Sequence, residues 1–159
     1  MSHVLAEELK MEFEKLTNIT CRAQYFEKGN THKPTTLKMD EKGVYVFLTE
    51  NYCFKVGKAG PKSQARWNSQ HYNLDTSTPS TFPKSIMQNL NRFKKFFPKN
   101  KHAEIDELCK QNIKQWIKEN VSRIEFVIFA NEPKHALNLL EALVQFRLRP
   151  KYEGRDENE

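Results

Sequence analysis

Apolar residues recur at helical spacing in several stretches of the chain, and this pattern predicts most of its helices. Three- and four-residue spacing of Leu, Ile, Phe and Val is typical of helices that bury one face. A proline after a polar turn also marks a helix start. We therefore predict helices over residues 3–17, 62–72, 84–97, 103–119 and 133–148.

Short stretches rich in β-branched and aromatic residues predict the strands. They lie at residues 21–26, 43–48, 53–57 and 123–129. The second and third are separated by four residues and should form a hairpin. We expect three strands or so in the sheet, with the first less marked than the others. The fold class is therefore α+β, a small sheet with helices packed on it.

The order of these elements suggests one domain with two additions. Residues 1–42 form an N-terminal helix and a polar loop, and residues 43–150 form the core. Residues 73–120 look like a helical insertion within that core. Residues 151–159 are highly charged, which predicts a frayed tail.

Composition narrows the class of protein. The 159 residues are 38% hydrophobic and 11% aromatic, enough for a packed core. No apolar run is long enough to cross a membrane. Acidic residues stand near the N-terminus where a signal peptide needs basic and apolar stretches, so we expect a cytoplasmic protein. Cys21, Cys53 and Cys109 lack paired metal-ligand spacing, so we expect free, partly buried thiols and no structural zinc.

Positive charge is concentrated in one part of the chain. The net charge is +6, but residues 52–101 alone carry ten Lys and Arg against one acid, Asp75. A surface this one-sided attracts a polyanion. A solubilising surface is the alternative, yet the position of the run beside the hairpin favours nucleic acid.

The hairpin places a phenol near an ammonium group. Strand alternation should put Val44, Phe54 and Val56 on one face, with Tyr45 and Lys55 roughly opposite each other on the second face. A neighbouring ammonium favours the phenolate, which can act as a general base. The alternative is an ordinary amphipathic hairpin.

Two further residues carry candidate chemistry. Arg66, on the helix after the hairpin, offers the planar donors that suit a phosphate. Glu141 stands in the middle of a largely apolar helix, where a carboxylate needs a cation or metal partner. For Glu141 the alternative is a solvated stripe shared with Asn138, Gln145 and Arg149.

In this order the residues resemble the GIY-YIG endonuclease superfamily. Gly43-Val44-Tyr45 is similar to the first motif, and Lys55-Val56-Gly57-Lys58 to the second with its basic follower. Arg66 matches the family's helical arginine, and Glu141 its glutamate on the helix after the third strand. The resemblance covers about residues 43–150. Lysine replaces the second motif's tyrosine, as in a subgroup that includes small type II restriction enzymes.

The resemblance implies hydrolysis of a DNA phosphodiester bond with Mg²⁺ or Mn²⁺. Tyr45 would deprotonate the attacking water, Lys55 would favour its phenolate, and Arg66 would stabilise the transition state. Glu141 would hold the metal. Additional active-site roles are expected for Lys58 and for His71 or Tyr72. DNA would be bound by aromatic and basic side chains. These are Lys62, Trp67, Tyr72, Lys84, Arg92, Lys94, Lys95, Lys99 and Lys101.

The expected partner is DNA, with a possible homodimer and no membrane. A restriction-like enzyme is the first expectation. The alternatives are a structure-specific repair or recombination nuclease and a DNA-binding module without catalytic activity.

Overall fold

Four antiparallel strands form the central sheet in the computed structural model, which describes residues 2–152. The strands are β1 Arg22–Phe26, β2 Glu41–Leu48, β3 Cys53–Ala59 and β4 Ser122–Phe129. Their order across the sheet is β1-β4-β2-β3. The α+β class is confirmed. The expectation of about three strands is one too few, because β1 pairs along its whole length with β4.

Seven helices surround the sheet in the described part of the chain. They are α1 Ser2–Thr17, α2 Gln64–Asn68, α3 Phe82–Gln88, α4 Leu90–Lys94, α5 His102–Asp106, α6 Ile113–Asn120 and α7 Lys134–Leu148. A 3-10 turn, Lys99–Lys101, joins α4 to α5. The first and last helices match their predictions closely. Among residues 2–152, no helix combines the length and apolar character that a membrane crossing requires.

The middle helices are shorter than the sequence predicts, and asparagines explain two of the breaks. Asn89 divides α3 from α4: its side chain accepts a hydrogen bond from the Arg92 amide and caps the second helix. Asn112 precedes α6, and its side chain accepts from the Cys109 amide at 2.7 Å. Side chains that compete for backbone groups in this way interrupt a helix even where the apolar spacing continues.

The sheet is covered on both faces. We call the side that packs against α1 and α7 the α7 face; there Val44, Val46 and Val56 meet Leu9, Phe13 and Leu140. The opposite side, the α2 face, carries Tyr45 and Phe47 under the short helices α2 to α6. Every residue of β2 is buried. The predicted polar face of the hairpin is therefore an interior surface.

The loop after β1 and the C-terminal end of the described chain both pack against the sheet. The loop after β1 buries His32 and Leu37 against the α2 face. Beyond α7, the amides of Lys151 and Tyr152 donate to the carbonyls of Cys53 and Phe54 at 3.0 and 2.9 Å. Tyr152 is buried, so the charged tail is anchored at its start; residues 153–159 lie outside the described residues.

No disulfide bond joins the three cysteines, all of which lie within residues 2–152. Cys21 and Cys53 are buried, and Cys109 is partly buried.

Candidate active site

Tyr45 lies across Gly57 in the middle of the hairpin. The strand register pairs Tyr45 with Gly57 and Phe47 with Lys55, because the pairing shifts at Phe47 and Leu48. The prediction that Lys55 stands opposite Tyr45 is therefore wrong. Lys55 lies on the same face of the sheet, but opposite Phe47. A Cβ atom at position 57 would lie 2.3 Å from the Tyr45 hydroxyl oxygen, so only glycine leaves room for the phenol. The same shift moves Phe54 from its predicted place beside Val56 into the aromatic cluster on the α2 face.

The phenol of Tyr45 is hydrogen-bonded to His71. Its oxygen lies 2.6 Å from His71 Nε2, and both residues are buried. The other ring nitrogen, Nδ1, accepts a hydrogen bond from the Phe82 amide at 3.1 Å, so it carries no proton. A neutral His71 must therefore carry its proton on Nε2 and donate it to the Tyr45 oxygen.

Burial and nearby cations keep His71 neutral. Burial lowers its pKa to about 3, with the positive charges of Lys55, Arg66 and Arg123 adding to the effect. The Lys55 ammonium is buried and donates to the Ser80 carbonyl at 2.9 Å. Arg66 lies on α2 with its side chain exposed. A donated hydrogen bond and positive charge both favour a phenolate.

Arg123 and Glu125, which are not among the predicted site residues, form a buried ion pair beneath this site. Arg123 Nε lies 2.8 Å from Glu125 Oε2, and the side chains are 0% and 2% exposed. Thr35 donates to the same carboxylate through its amide and its hydroxyl. The signal in the sequence was an Arg and a Glu two residues apart in an apolar strand, which places opposite charges on one face.

The Arg123 guanidinium links the surrounding aromatic residues. It lies 5.2 Å from the ring centroid of Tyr45 and 5.1 Å from that of Trp67. It also donates to the Trp67 carbonyl at 2.6 Å and to the Tyr72 hydroxyl at 3.4 Å. Arg123 therefore fixes the α2 helix and the segment after it against the sheet.

His32 extends the same buried network. Its Nδ1 donates to the Val121 carbonyl at 2.5 Å, and its Nε2 accepts from the Tyr72 hydroxyl at 2.5 Å. Burial lowers the pKa of His32 to about 4, and burial raises the pKa of Tyr72 to about 12. Both groups are therefore neutral around pH 7.

Trp67 and Tyr72 do not form the DNA-binding surface that the sequence suggested. Each is 0% exposed, so neither ring can contact DNA in this structure. Trp67 is a core residue because α2 turns its aromatic side into the α2 face. Tyr72, in the turn after α2, is held in the core by its hydrogen bonds with His32 and Arg123. His71, not Tyr72, is the residue that contacts Tyr45.

Glu141 and Lys58 meet on the other side of the sheet. Lys58 pairs in register with Val44 and therefore points to the α7 face. Its ammonium lies 3.6 Å from Glu141 Oε1 and donates to Asn138 Oδ1 at 2.5 Å. The structure thus brings together Tyr45, His71, Lys55 and Arg66, and places Lys58 and Glu141 across the sheet from them.

Two side-chain oxygen atoms, one from Glu141 and one from Asn138, contact the Lys58 ammonium. The Lys58 ammonium occupies the position between the Glu141 carboxylate and the Asn138 amide oxygen. Oxygen donors of this kind suit Mg²⁺, which keeps several waters and needs few protein ligands. The donor chemistry fits a hard divalent ion that would replace the ammonium. Within residues 2–152, no group of three or more His, Cys, Asp or Glu could hold a metal.

Several of the predicted DNA-binding cations already have partners. Lys84 donates to the carbonyls of Thr76 and Thr78, and Arg92 donates to the Lys151 carbonyl. Lys94 and Lys101 form ion pairs with acids of α5, which lie just past the basic run. The pairs are Lys94–Asp106 at 2.7 Å and Lys101–Glu104 at 3.6 Å. Lys62, Lys95 and Lys99 are exposed.

A polar groove of about 550 Å³ opens beside the segment that carries His71. Its walls include Ser69, Gln70 and Asn73, which flank His71 in the chain, and the Asp75–Lys110 ion pair. Neither Tyr45 nor His71 is part of its lining.

No family model, no curated protein and no solved structure matches this chain, so the functional assignment depends on the residues and geometry of the site.

Proposed function

We propose that the protein is a divalent-metal-dependent DNA endonuclease of the GIY-YIG type, similar to the small type II restriction enzymes. One observation carries the proposal. The Tyr45 oxygen accepts a hydrogen bond from a neutral His71, while Lys55 and Arg66 add positive charge nearby. The donated hydrogen bond and the positive charges favour the phenolate that a tyrosine base needs, whereas burial of the phenol opposes it. The order hairpin, arginine helix, strand and glutamate helix also agrees with the motif resemblance.

In the proposed reaction, a water molecule attacks the phosphorus of a DNA phosphodiester and gives its proton to the Tyr45 oxygen. The bond from phosphorus to the leaving sugar oxygen breaks, and that oxygen takes a proton from a solvent water molecule. His71 holds the phenol ring in place through its Nε2 hydrogen bond, and Arg66 donates to the phosphate oxygens as their charge rises. Glu141 and Asn138 would hold a divalent ion, and such an ion would supply positive charge to the phosphate and the leaving oxygen.

We infer that access to Tyr45 requires a change in the segment between α2 and α3. Tyr45 is 0% exposed. The segment is held by Lys55, which donates to the Ser80 carbonyl, and by the Phe82 amide, which donates to His71. We infer that DNA binding displaces residues 73–81 and that the phosphate then lies at the edge strand β3. The side chains of β3 alternate between the two faces, so Lys55 and Lys58 approach that edge from opposite sides.

A DNA-binding module without catalytic activity is the second candidate. It is favoured by the complete burial of Tyr45 and by the Lys58 ammonium at Glu141. Such a module would bind DNA without metal and would leave the strands intact.

Nicking of supercoiled plasmid DNA tests the two candidates. Wild-type protein is incubated with Mg²⁺, with Mn²⁺ or with a chelator, beside Tyr45→Phe and the matched control Tyr25→Phe. Tyr25 is a phenol in β1 whose hydroxyl donates to Ser122 at 3.1 Å. The proposal expects metal-dependent cutting by wild type and Tyr25→Phe and none by Tyr45→Phe. Binding without cutting under every metal condition would favour the inactive module. Equal cutting of branched DNA and plain duplex would count against a repair nuclease.

A further inference from the structure

Three lysines from two separate segments lie together beside α6. Lys114 and Lys118 are four residues apart on α6 and so lie on the same side of that helix. Lys33 belongs to the loop after β1. The Gly29 amide of that loop donates to the Lys118 carbonyl at 2.7 Å, which holds the loop against the helix. Lys33 and Lys114 are exposed, and Lys118 is half-buried. We call these three residues the α6 lysine cluster.

Positive charge accumulates around Lys118. Its ammonium lies 5.3 Å from the ring centroid of Tyr72, the residue that follows His71. Partial burial lowers the pKa of Lys118, and so do the charges of Lys114, Arg123 and Lys33. These like charges repel each other, and a bound anion would relieve the repulsion.

The cluster lacks the acidic partners that neutralise other basic residues. In the described part of the chain, none of its three lysines forms an ion pair with a carboxylate. The acid next to Lys118 on α6 is Glu119, and its Oε1 accepts a hydrogen bond from Gln115. Lys94 and Lys101, by contrast, are paired with acids. The positive surface therefore includes this cluster as well as Lys62, Lys95 and Lys99, the exposed lysines of the basic run.

We propose that the α6 lysine cluster binds the phosphate backbone of DNA and positions the duplex over the α2 face. This inference rests on the proposed function, since it takes DNA as the substrate. The cluster lies on the same side of the sheet as His71, because α6 packs Ile113, Trp116 and Ile117 into the core of that face. A strand bound there runs beside the segment that covers Tyr45. Lysines suit this task because phosphate contacts supply affinity and orientation without reading sequence.

The test is the salt dependence of DNA binding. A short fluorescently labelled duplex of mixed sequence is titrated with protein at several salt concentrations without divalent metal, and anisotropy gives the affinity. The variant changes all three cluster lysines to Gln. Its slope of log affinity against log salt should be shallower by roughly 2–3 units, since each phosphate contact contributes about 0.9. The matched control changes Lys15 and Lys134 to Gln and is compared with the double variant described next. These two substitutions remove an equal charge from exposed lysines of α1 and α7, across the sheet.

A second variant guards against misfolding. Lys118 packs over Tyr72, so the double change Lys33→Gln with Lys114→Gln leaves that contact intact. It should lower the slope by roughly 1–2 units with an unchanged thermal midpoint. An unchanged slope in both variants, or an equal loss in the control, would overturn the cluster as the DNA-binding surface. So would binding of single-stranded RNA but not of the duplex.

The two proposals fail in different ways. If wild type binds the duplex through the cluster but never cuts plasmid, the nuclease proposal fails and the cluster stands. If wild type cuts plasmid and the cluster variants keep both slope and cleavage rate, the cluster fails and the nuclease proposal stands.

Discussion

Replacing Tyr45 by Phe removes one oxygen atom from the centre of the proposed site. That oxygen accepts the hydrogen bond from His71 Nε2 at 2.6 Å, inside a core where both residues are buried. The ring and its packing against Trp67 remain. The His71 N–H would then be buried without an acceptor. A donor left in that state costs about 1–3 kcal/mol.

This cost is large enough to measure by thermal unfolding. For a domain of this size each kcal/mol lowers the midpoint by roughly 2–4 °C, so the expected fall is roughly 2–12 °C. Tyr25→Phe should cost less than about 1 kcal/mol, since Tyr25 is only half-buried. His71→Leu removes the other partner. A double variant should show a coupling of about 0.5–3 kcal/mol between the two positions.

Circular dichroism gives the midpoints, and plasmid nicking below the lowest midpoint gives the activity. Tyr45→Phe should be folded and should bind DNA under these conditions, yet cut no plasmid. A midpoint equal to that of wild type would refute the hydrogen bond and the His71 tautomer inferred from it. Cutting within a few-fold of wild type would remove Tyr45 as the general base.

Three further predictions follow from the buried charges and the Lys58 pair. Below about pH 6.5 the unfolded chain protonates His32 and His71, but the folded protein, with pKa values of about 4 and about 3, does not. The free energy of unfolding, measured by urea titration, should therefore fall by about 1.4 kcal/mol per pH unit for each histidine as the pH drops towards 4; a flat profile would contradict this. Glu125→Gln should cost roughly 3–5 kcal/mol in the same assay because Arg123 stays charged and buried, and a loss under 1 kcal/mol would show that the pair is solvated. Glu141→Gln should change stability by less than about 1 kcal/mol, since its partner is 40% exposed, yet stop metal-dependent cutting. A variant that still cuts would exclude Glu141 as the metal ligand.

The strands could be predicted from the sequence because their signal is local. The central strands β2 and β4 are runs of β-branched and aromatic residues, as expected for strands buried on both faces. The register of the hairpin could not be predicted from the local sequence. It depends on the irregular pairing at Phe47 and Leu48, and the turn contains no Asn-Gly or Asp-Gly that would have fixed it. One shifted pair was enough to put Gly57, not Lys55, opposite Tyr45.

The site was only partly predictable because it depends on contacts between distant segments. Tyr45, His71, Lys55 and Arg66 were all identified, and the structure places them on one side of the sheet. The arrangement of Phe82 against His71 could not be foreseen, since it joins a loop to a helix start eleven residues away. The sequence of a short helix does not indicate whether its aromatic residues face solvent. Trp67, predicted to contact DNA, is therefore found in the core instead.

The distribution of positive charge along the sequence differs from its distribution over the folded surface. The basic run over residues 52–101 ends just before Glu104 and Asp106, which pair with Lys101 and Lys94 in space. The three lysines of the α6 lysine cluster lie outside residues 52–101.

The edge strand β3 connects the residues of the proposed site on the α2 face with those on the α7 face. Lys55 and Lys58 are three residues apart on this strand and point to opposite faces. Lys55 is tied to Ser80 on the α2 face, and Lys58 to Glu141 on the α7 face. A phosphate at the strand edge would compete with both ties, because its oxygens can accept from the two ammonium groups at once. Binding would then release the Ser80 segment above Tyr45 and free Glu141 for a metal ion in one event, which would couple substrate binding to assembly of the active site.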